Sequence, residues 1–267
     1  MQLTKHHGLG NDFLVLLDLN GTRPVTGATA RAWCDRHRGI GADGLLRVTA
    51  GSSSGEYVTD VTMQLFNADG GRAEMSGNGI SCLAQAVVIG GVAHGPTVKV
   101  ATDAGLRTVR IDPTDQPHLH RATVDMGEAK VGDDEPEWVD GDVLRAARVD
   151  IGNPHLVLHV GELETGDELD DRGRHINELV PGGINVELVT PGPETGELTM
   201  QVYERGVGLT EACGTGACAV AAAAERWELA GSSVRVHQPG GAAEVRLGPS
   251  IEMTMPVAHV ATIEVML

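Results

Sequence analysis

Basic residues are scarce in this chain of 267 residues, which has 20 Lys and Arg against 37 Asp and Glu. The formal net charge is −17 at pH 7, and the lysines are confined to positions 5, 99 and 130. Proteins that bind nucleic acid need clustered Lys and Arg to neutralise phosphates. We therefore expect no nucleic acid among the partners of this protein.

Long apolar runs are also lacking, and aromatic residues make up only 3% of the chain. A membrane-spanning helix needs a run of about 18 apolar residues, so none is predicted. No apolar segment follows a basic start, so we expect no export signal and a cytoplasmic location. The four cysteines, at positions 34, 82, 213 and 218, are then expected to be reduced thiols.

What the chain does contain is one pattern present twice, at an offset of 137 residues. Residues 62–66 are TMQLF and residues 199–203 are TMQVY. Each is followed by a second shared block, EMSGNG at 74–79 and EACGTG at 211–216. Solenoid repeats are about 20–50 residues long, so this period indicates duplication of a whole domain. A ligand site is expected in the cleft between two such domains.

Two further pairs of segments keep the same order, 10–16 with 152–158 and, more weakly, 125–129 with 254–258. We predict an α+β fold of two pseudo-symmetric domains, each a β-structure wrapped around a central apolar helix. Symmetry places the N-terminal half at 1–125 plus 256–267 and the C-terminal half at 126–255. The predicted strands are Phe13–Leu17, Val61–Phe66, Asp150–Val160 and Thr199–Tyr203, with more in Val98–Val124 and Val234–Met255. The predicted helices are Ala28–Arg38, Ile80–Ala93 and a helix that begins with Ala217–Ala224 and ends near Gly231.

The repeated blocks place Ser76 and Cys213 directly before a Gly-x-Gly sequence and a buried helix. A helix N-terminus offers unpaired N–H groups that suit a carboxylate, and it lowers the pKa of a cysteine there. Two such helix ends facing one substrate would hold Ser76 and Cys213 on opposite faces of a carbon next to the carboxylate. This arrangement suits inversion of a stereocentre. The alternative is a pair of glycine-rich helix starts, one with a buried cysteine.

Polar residues also recur at matched places. Asn11 and Asn153 each follow a glycine, and Asn67 follows TMQLF as Glu204 and Arg205 follow TMQVY. Each asparagine alone is compatible with a turn or cap, and Glu204 with Arg205 is compatible with a surface ion pair. At a strand end before the reactive block, they favour a clamp for a zwitterionic group.

Three other patterns are given simpler interpretations. Residues 39–44 match GxGxxG but follow no buried strand, so no dinucleotide site is predicted. His155 and His159 lie on one predicted strand, about 13 Å apart, and His118 with His120 lacks a third ligand, so no metal site is predicted. Cys82 and Cys218 lie inside the apolar helices and are expected to be core residues.

Seven ordered segments carry a resemblance over essentially the whole chain. They are residues 4–13 (TKHHGLGNDF), 39–44 (GIGADG), 66–70 (FNADG), 75–79 (MSGNG), 152–155 (GNPH), 203–206 (YERG) and 212–216 (ACGTG). With these segments the chain resembles the diaminopimelate epimerases. The resemblance implies an isomerase without cofactor that interconverts LL- and meso-diaminopimelate for lysine and cell-wall synthesis, with two cysteines as the acid–base pair.

The resemblance also implies the roles of individual residues. Cys213 takes the place of one catalytic cysteine, and His155 and Glu204 help to set the protonation of the reactive pair. The peptide N–H groups of Gly77, Asn78, Gly214 and Thr215 hold the carboxylate at the reacting centre. The expected substrate contacts are Asn11, Gly44, Asn67, Asn153, Asn185, Glu204 and Arg205. The expected partner is an amino acid with two zwitterionic ends, and the sequence is compatible with a homodimer without establishing one.

The chain departs from the family pattern at two positions. Ser76 stands where members usually have a cysteine, and Gly44 stands where many have a glutamine. In the wider group of proline racemase-like enzymes, the resemblance implies that serine at such a position is compatible with epimerisation. Inversion by Ser76 and Cys213 is therefore the leading hypothesis. Two alternatives stay open, a related epimerase or isomerase with another substrate and a catalytically weak binding protein.

Overall fold

The computed structural model describes residues 1–53, 58–93 and 95–265 of the chain. These residues form two compact units, the first made of residues 1–125 and 255–267 and the second of residues 126–254. The predicted division into halves differs from these units at Met255, which the structure places in the first unit. The described residues have a mixed α+β fold of 17 strands and four α-helices, with one short 3-10 helix at Pro136–Trp138.

The first unit is built mainly from antiparallel neighbours, with two parallel pairs. Its strands are β1 Gln2–Gly8, β2 Asn11–Leu17, β3 Gly44–Ala50, β4 Val61–Asn67, β5 Arg72–Ala73, β6 Thr97–Thr102, β7 Gly105–Pro113 and β8 Leu119–Gly127. Its helices are α1 Gly27–Cys34 and α2 Gly77–Ile89. Strand β2 pairs in parallel with β3 and β4 with β6, whereas β1–β2, β3–β4, β6–β7 and β7–β8 are antiparallel.

The second unit has the same succession of pairings. Its strands are β9 Lys130–Asp134, β10 Val143–Asp150, β11 Pro154–Val160, β12 Asn185–Pro191, β13 Leu198–Glu204, β14 Gly208–Thr210, β15 Ser233–Gln238, β16 Gly241–Arg246 and β17 Ile251–Glu264. Its helices are α3 Gly166–Leu179 and α4 Gly214–Arg226. The parallel pairs are β11–β12 and β13–β15, and β10–β11, β12–β13, β15–β16 and β16–β17 are antiparallel. Strands β8 and β17 each cross a boundary between the units.

One apolar helix in each unit is buried over nearly its whole length. Helix α2 is buried from Gly77 to Val87 and contacts β1, β2 and β7. Helix α4 is buried from Gly214 to Ala224 and contacts β10, β11 and β16 of its own unit. A helix without a polar face is stable only when strands cover it on every side, which explains the apolar and alanine-rich sequences. The predicted core positions of Cys82 and Cys218 are confirmed.

Several predicted element boundaries were wrong. The predicted strand Asp150–Val160 is the end of one strand and the start of another, because the chain turns at Ile151–Asn153 between β10 and β11. Helix α2 begins three residues before the predicted start at Ile80, and α4 ends at Arg226 rather than near Gly231. Strand β12 was not predicted, because Glu187 interrupts its apolar pattern.

Candidate active site

Ser76 and Cys213 occupy the same position in the two units, the N-cap of a buried helix. Both have extended backbone angles, with φ −144° at Ser76 and −126° at Cys213. The Oγ of Ser76 accepts a hydrogen bond from the Gly79 N–H at 3.0 Å, and the Sγ of Cys213 accepts one from the Gly216 N–H at 3.3 Å. A side chain at the N-cap satisfies a free N–H of the first turn. Each reactive atom therefore lies directly at the start of its helix.

The candidate residues of the first unit form two small groups. Asn78, in the first turn of α2, donates from Nδ2 to Oδ1 of Asn11 at 3.4 Å. Gly44 begins β3, where it pairs with Asn67 of β4 on one side and Phe13 of β2 on the other. Gly77 is buried as the first residue of α2, beside Ser76. The predicted contacts of this unit are thus gathered at strand ends and at the helix start.

A charged network that sequence reasoning missed holds Asn11. Asn11 donates from Nδ2 to Oδ2 of Asp43 at 2.9 Å, and the N–H of Asp12 donates to the same oxygen at 3.0 Å. Arg36 bonds to both carboxylates, at 2.8 Å to Asp12 and 2.7 Å to Asp43. Asp43 lies in the segment GIGADG, so this segment supports Asn11. It lies between a helix and a strand, in the reverse order of a dinucleotide-binding turn.

The space beside Gly44 explains the lack of a side chain at this position. A β-carbon on Gly44 would lie 2.8 Å from Cε1 of Phe13 and 3.0 Å from the carbonyl oxygen of Phe66. Both distances are shorter than an ordinary carbon contact. The Phe13 ring therefore occupies the position from which a longer side chain would begin.

In the second unit, hydrogen bonds connect the candidate residues in a chain that reaches the thiol. Thr215 Oγ1 lies 3.4 Å from Sγ of Cys213, and it accepts from Nδ2 of Asn153 at 3.3 Å. Oδ1 of Asn153 is 3.1 Å from Nε2 of His155. The Nδ1 of His155 is 2.6 Å from Oε1 of Glu187, and both of these side chains are fully buried. Glu187 was not predicted from the sequence.

The remaining polar candidates of this unit lie at the ends of β12 and β13. The N–H of Arg205 donates to Oδ1 of Asn185 at 2.8 Å, and Oε1 of Glu204 accepts from the Thr210 hydroxyl at 2.6 Å. The side chain of Arg205 is exposed, and its guanidinium contacts the carbonyl of Gly182 at 3.3 Å. A planar, exposed guanidinium is available for a carboxylate.

The expected lowering of the Cys213 pKa at the helix start is wrong for this structure. Burial raises the pKa of the Cys213 thiol well above its usual value, and the nearby Glu204 and Glu187 raise it further. The hydrogen bonds from Thr215 and Gly216 act in the opposite direction but are weaker. Loss of water around the sulfur outweighs two donors here because a charged sulfur in a buried site is costly.

A further residue missed in the sequence holds the backbone of Cys213. The Cys213 N–H donates to Oε1 of Gln238 at 2.8 Å, and Gln238 ends β15 in a buried position. His155 and His159 both lie on β11, and His159 stacks with Trp227. In the part of the chain that the structure describes, no group of three or more His, Cys, Asp or Glu residues could hold a metal ion. None of the described helices is both long and apolar enough to cross a membrane.

Comparison with known families decides the affiliation. The model of the family described as diaminopimelate epimerase matches residues 3–132 and 147–257. The chain belongs to the diaminopimelate epimerase family. A diaminopimelate epimerase of Mycolicibacterium gilvum is 37% identical over 263 residues, covering 90% of this chain and 88% of that protein. Another, of Mycobacteroides abscessus, is 38% identical over 288 residues, covering 94% of each. The predicted family and enzyme class, an isomerase, are confirmed.

Solved structures share the fold at low sequence identity. A hydroxyproline epimerase of Agrobacterium vitis superposes with a TM-score of 0.74 at 17% identity, covering 98% of this chain and 91% of the other. A protein of Bacillus anthracis described as a phenazine biosynthesis protein of the PhzF family has a TM-score of 0.71 at 15% identity. This superposition covers 100% of the present chain and 99% of the Bacillus anthracis chain. These likenesses show that the fold is shared among epimerases and other proteins.

Proposed function

We propose that this protein epimerises LL-diaminopimelate to meso-diaminopimelate without a cofactor, with Ser76 and Cys213 acting on opposite faces of the α-carbon. The observation that carries the proposal is the matched N-cap position of Ser76 and Cys213, in a chain of this family. The repeated sequence blocks and the same order of strand pairing support descent of both units from one duplicated domain, each around its buried helix.

The proposed binding of substrate uses both helix starts. The N–H groups of Gly77, Asn78, Gly214 and Thr215 bind the carboxylate next to the reacting carbon, because the first turn of a helix has unpaired donors. The exposed guanidinium of Arg205, with Glu204, binds the zwitterionic group at the far end of the substrate. The polar contacts along the molecule are Asn11, Asn67, Asn153 and Asn185, and water or backbone serves in place of a side chain at Gly44.

The proton transfer follows from the two groups. In one direction Cys213, once deprotonated, removes the α-proton, and the Ser76 hydroxyl gives a proton to the opposite face. Before the next turnover the Ser76 oxygen regains a proton from solvent, and the Cys213 thiol loses the proton that it took. In the other direction the roles are exchanged. A hydroxyl is a much weaker acid than a thiol, so the transfer at Ser76 is expected to limit the rate.

Incubation with LL-diaminopimelate in deuterated water tests the proposal and separates it from two alternatives. Formation of the meso isomer with deuterium at one α-carbon supports the proposal. Binding of diaminopimelate without exchange indicates a binding protein. Neither binding nor exchange indicates an epimerase or isomerase for another amino acid, which the shared fold of the hydroxyproline epimerase would accommodate.

A further inference from the structure

Glu187 is a fully buried carboxylate in the middle of an apolar strand. Its neighbours on β12, Val186 and Leu188, are also completely buried. A buried carboxylate is costly unless another group pairs with it. Its Oε1 lies 2.6 Å from Nδ1 of His155, whereas Oε2 has no hydrogen-bond partner among the described residues. Because this buried carboxylate is costly to the folded state, packing alone does not explain why a glutamate occupies this position.

The backbone places Glu187 between His155 and the start of α4. In the parallel pair β11–β12, His155 is in register with Asn185, two residues before Glu187, so His155 and Glu187 point to the same face. A β-carbon on Gly216 would lie 2.8 Å from Oε1 of Glu187. Besides donating its N–H to Cys213, Gly216 therefore leaves room for the Glu187 carboxylate against the first turn of α4.

The direction of the hydrogen bonds leads from Glu187 to the sulfur. A carboxylate accepts only, so Nδ1 of His155 carries the hydrogen of the bond to Glu187. His155 is thereby oriented with Nε2 towards Oδ1 of Asn153, an amide oxygen that also accepts only, so Nε2 carries a hydrogen as well. The Nδ2 of the same Asn153 amide donates to Thr215. The Thr215 hydroxyl is then free to donate its own hydrogen to Sγ of Cys213, 3.4 Å away.

We propose that Glu187 is a positioning residue for the acid–base reaction at Cys213, which it serves by holding His155 in one orientation with a hydrogen on each ring nitrogen. This inference rests on the proposed function, because the reacting atom is the sulfur of Cys213. Glu187 itself touches no substrate in this scheme. A fixed imidazole keeps Asn153 and Thr215 in the arrangement in which Thr215 donates to the sulfur.

The variant Glu187→Gln tests the inference, because it keeps the size of the side chain and removes its fixed acceptor role. A glutamine amide both donates and accepts and has no charge, so it no longer requires a hydrogen on Nδ1 of His155. Glu197→Gln is the matched control, since Glu197 forms an equally short bond of 2.6 Å to His237 in the same unit. We expect the kcat for diaminopimelate epimerisation to fall at least about 10-fold in Glu187→Gln with KM changed less than about threefold. The control is expected to retain both constants.

Nitrogen NMR of histidine-labelled protein gives a readout that needs no activity. The His155 signals, assigned by their loss in His155→Gln, should show hydrogen on both ring nitrogens in the wild type and in Glu197→Gln. In Glu187→Gln they should show one ring nitrogen without hydrogen. Unchanged signals of both His155 ring nitrogens in Glu187→Gln would overturn the inference. Because this readout uses the protein alone, it stays decisive even if the wild type fails to epimerise diaminopimelate.

A double variant distinguishes positioning through His155 from an independent effect. If Glu187 acts only through His155, the double variant Glu187→Gln/His155→Gln should have the same kcat as His155→Gln alone. A double variant in which the two losses multiply would show that Glu187 acts by another route. Circular dichroism of all variants identifies any loss of folding. If Glu187→Gln is unfolded, the comparison is made with Glu187→Asp, which keeps the charge but is too short for the 2.6 Å bond and should also lose kcat.

Discussion

The two units place different chemistry at equivalent positions. Phe13 on β2 corresponds to His155 on β11, because each lies two residues after the asparagine of a Gly-Asn pair. By strand register, Leu46 corresponds to Glu187. The serine unit therefore has an apolar pair where the cysteine unit has a buried imidazole and carboxylate.

The two units thus share the N-cap position of Ser76 and Cys213 but differ in the groups around it. Cys213 is buried, and its hydrogen bonds continue through Thr215 and Asn153 to His155. Ser76 is only partly buried and receives the hydrogen bond from Gly79. A buried sulfur needs donors to become a base, whereas the Ser76 hydroxyl, once it has delivered its proton, needs solvent to restore it. We therefore assign proton removal in one direction to Cys213, which these hydrogen bonds assist. Ser76 has no titratable group at the two equivalent positions, which Phe13 and Leu46 occupy.

The largest effect is expected from a change at Cys213 in the second unit. Cys213→Ala should lower α-proton exchange at least about 100-fold, since it removes the acid–base group itself. The control is Cys218→Ala, which removes a buried thiol from the same helix without reaching the helix start. The measurement is deuterium incorporation into diaminopimelate by NMR. Exchange near the wild-type rate in Cys213→Ala would remove the two-face scheme.

A second prediction concerns the buried histidine of the first unit, His6, which bonds to the neutral Gln85 at 2.7 Å rather than to a carboxylate. Burial lowers the pKa of His6 from 6.5 to about 4. Between these values the unfolded chain binds more protons than the folded one, so the free energy of unfolding falls as the pH falls. The expected loss from this group is on the order of 3 kcal/mol, complete below about pH 4.

Urea unfolding at several pH values checks this prediction. The slope of unfolding free energy against pH between pH 6.5 and 4 should be smaller in His6→Gln than in the wild type. His175→Gln, which changes an exposed histidine on α3, should keep the wild-type slope. Equal slopes in all three proteins would show that His6 is not held neutral.

The third prediction concerns Gly44, whose counterpart in the second unit is Asn185. Gly44→Ala should lower the free energy of unfolding by about 1–3 kcal/mol, because the added carbon meets Phe13 and the carbonyl of Phe66. The control is Gly161→Ala, where a β-carbon meets nothing within 4 Å. The measurement is the urea midpoint of both variants. A stable Gly44→Ala protein would mean that the Phe13 ring moves aside readily, and a glutamine contact would then also fit.

The smallest effect is expected from replacing Ser76 with cysteine, which gives both units the same residue at the N-cap. Ser76→Cys should raise kcat by about 10-fold in both directions, since a thiol is the stronger acid. Two thiols acting on one carbon should also make the enzyme sensitive to mild oxidant, reversibly with a thiol reductant. The control is Ser76→Ala, which should be slower than the wild type. A Ser76→Cys enzyme that is slower in both directions would indicate that Ser76 serves a different reaction.

The sequence predicted the matched positions of Ser76 and Cys213 and missed polar groups that differ between the two units. Ser76 and Cys213 could be found because their blocks share a glycine pattern at a constant offset. Glu187 could not, because one carboxylate inside an apolar strand has no repeated counterpart and its partner His155 lies 32 residues away. The raised pKa of Cys213 was missed for a related reason. Helix position is local in sequence, but burial depends on strands that come from distant segments.

The most direct test of the central claim is the timing of deuterium incorporation during epimerisation in deuterated water. Early in the reaction, from either isomer, we expect the product to carry deuterium at the inverted carbon and the remaining substrate to carry none. This outcome is expected because one group removes the proton and another supplies a deuteron from the opposite face. If the remaining substrate becomes deuterated as fast as the product, a single group both removes and returns the proton. That result would contradict the assignment of separate roles to Ser76 and Cys213.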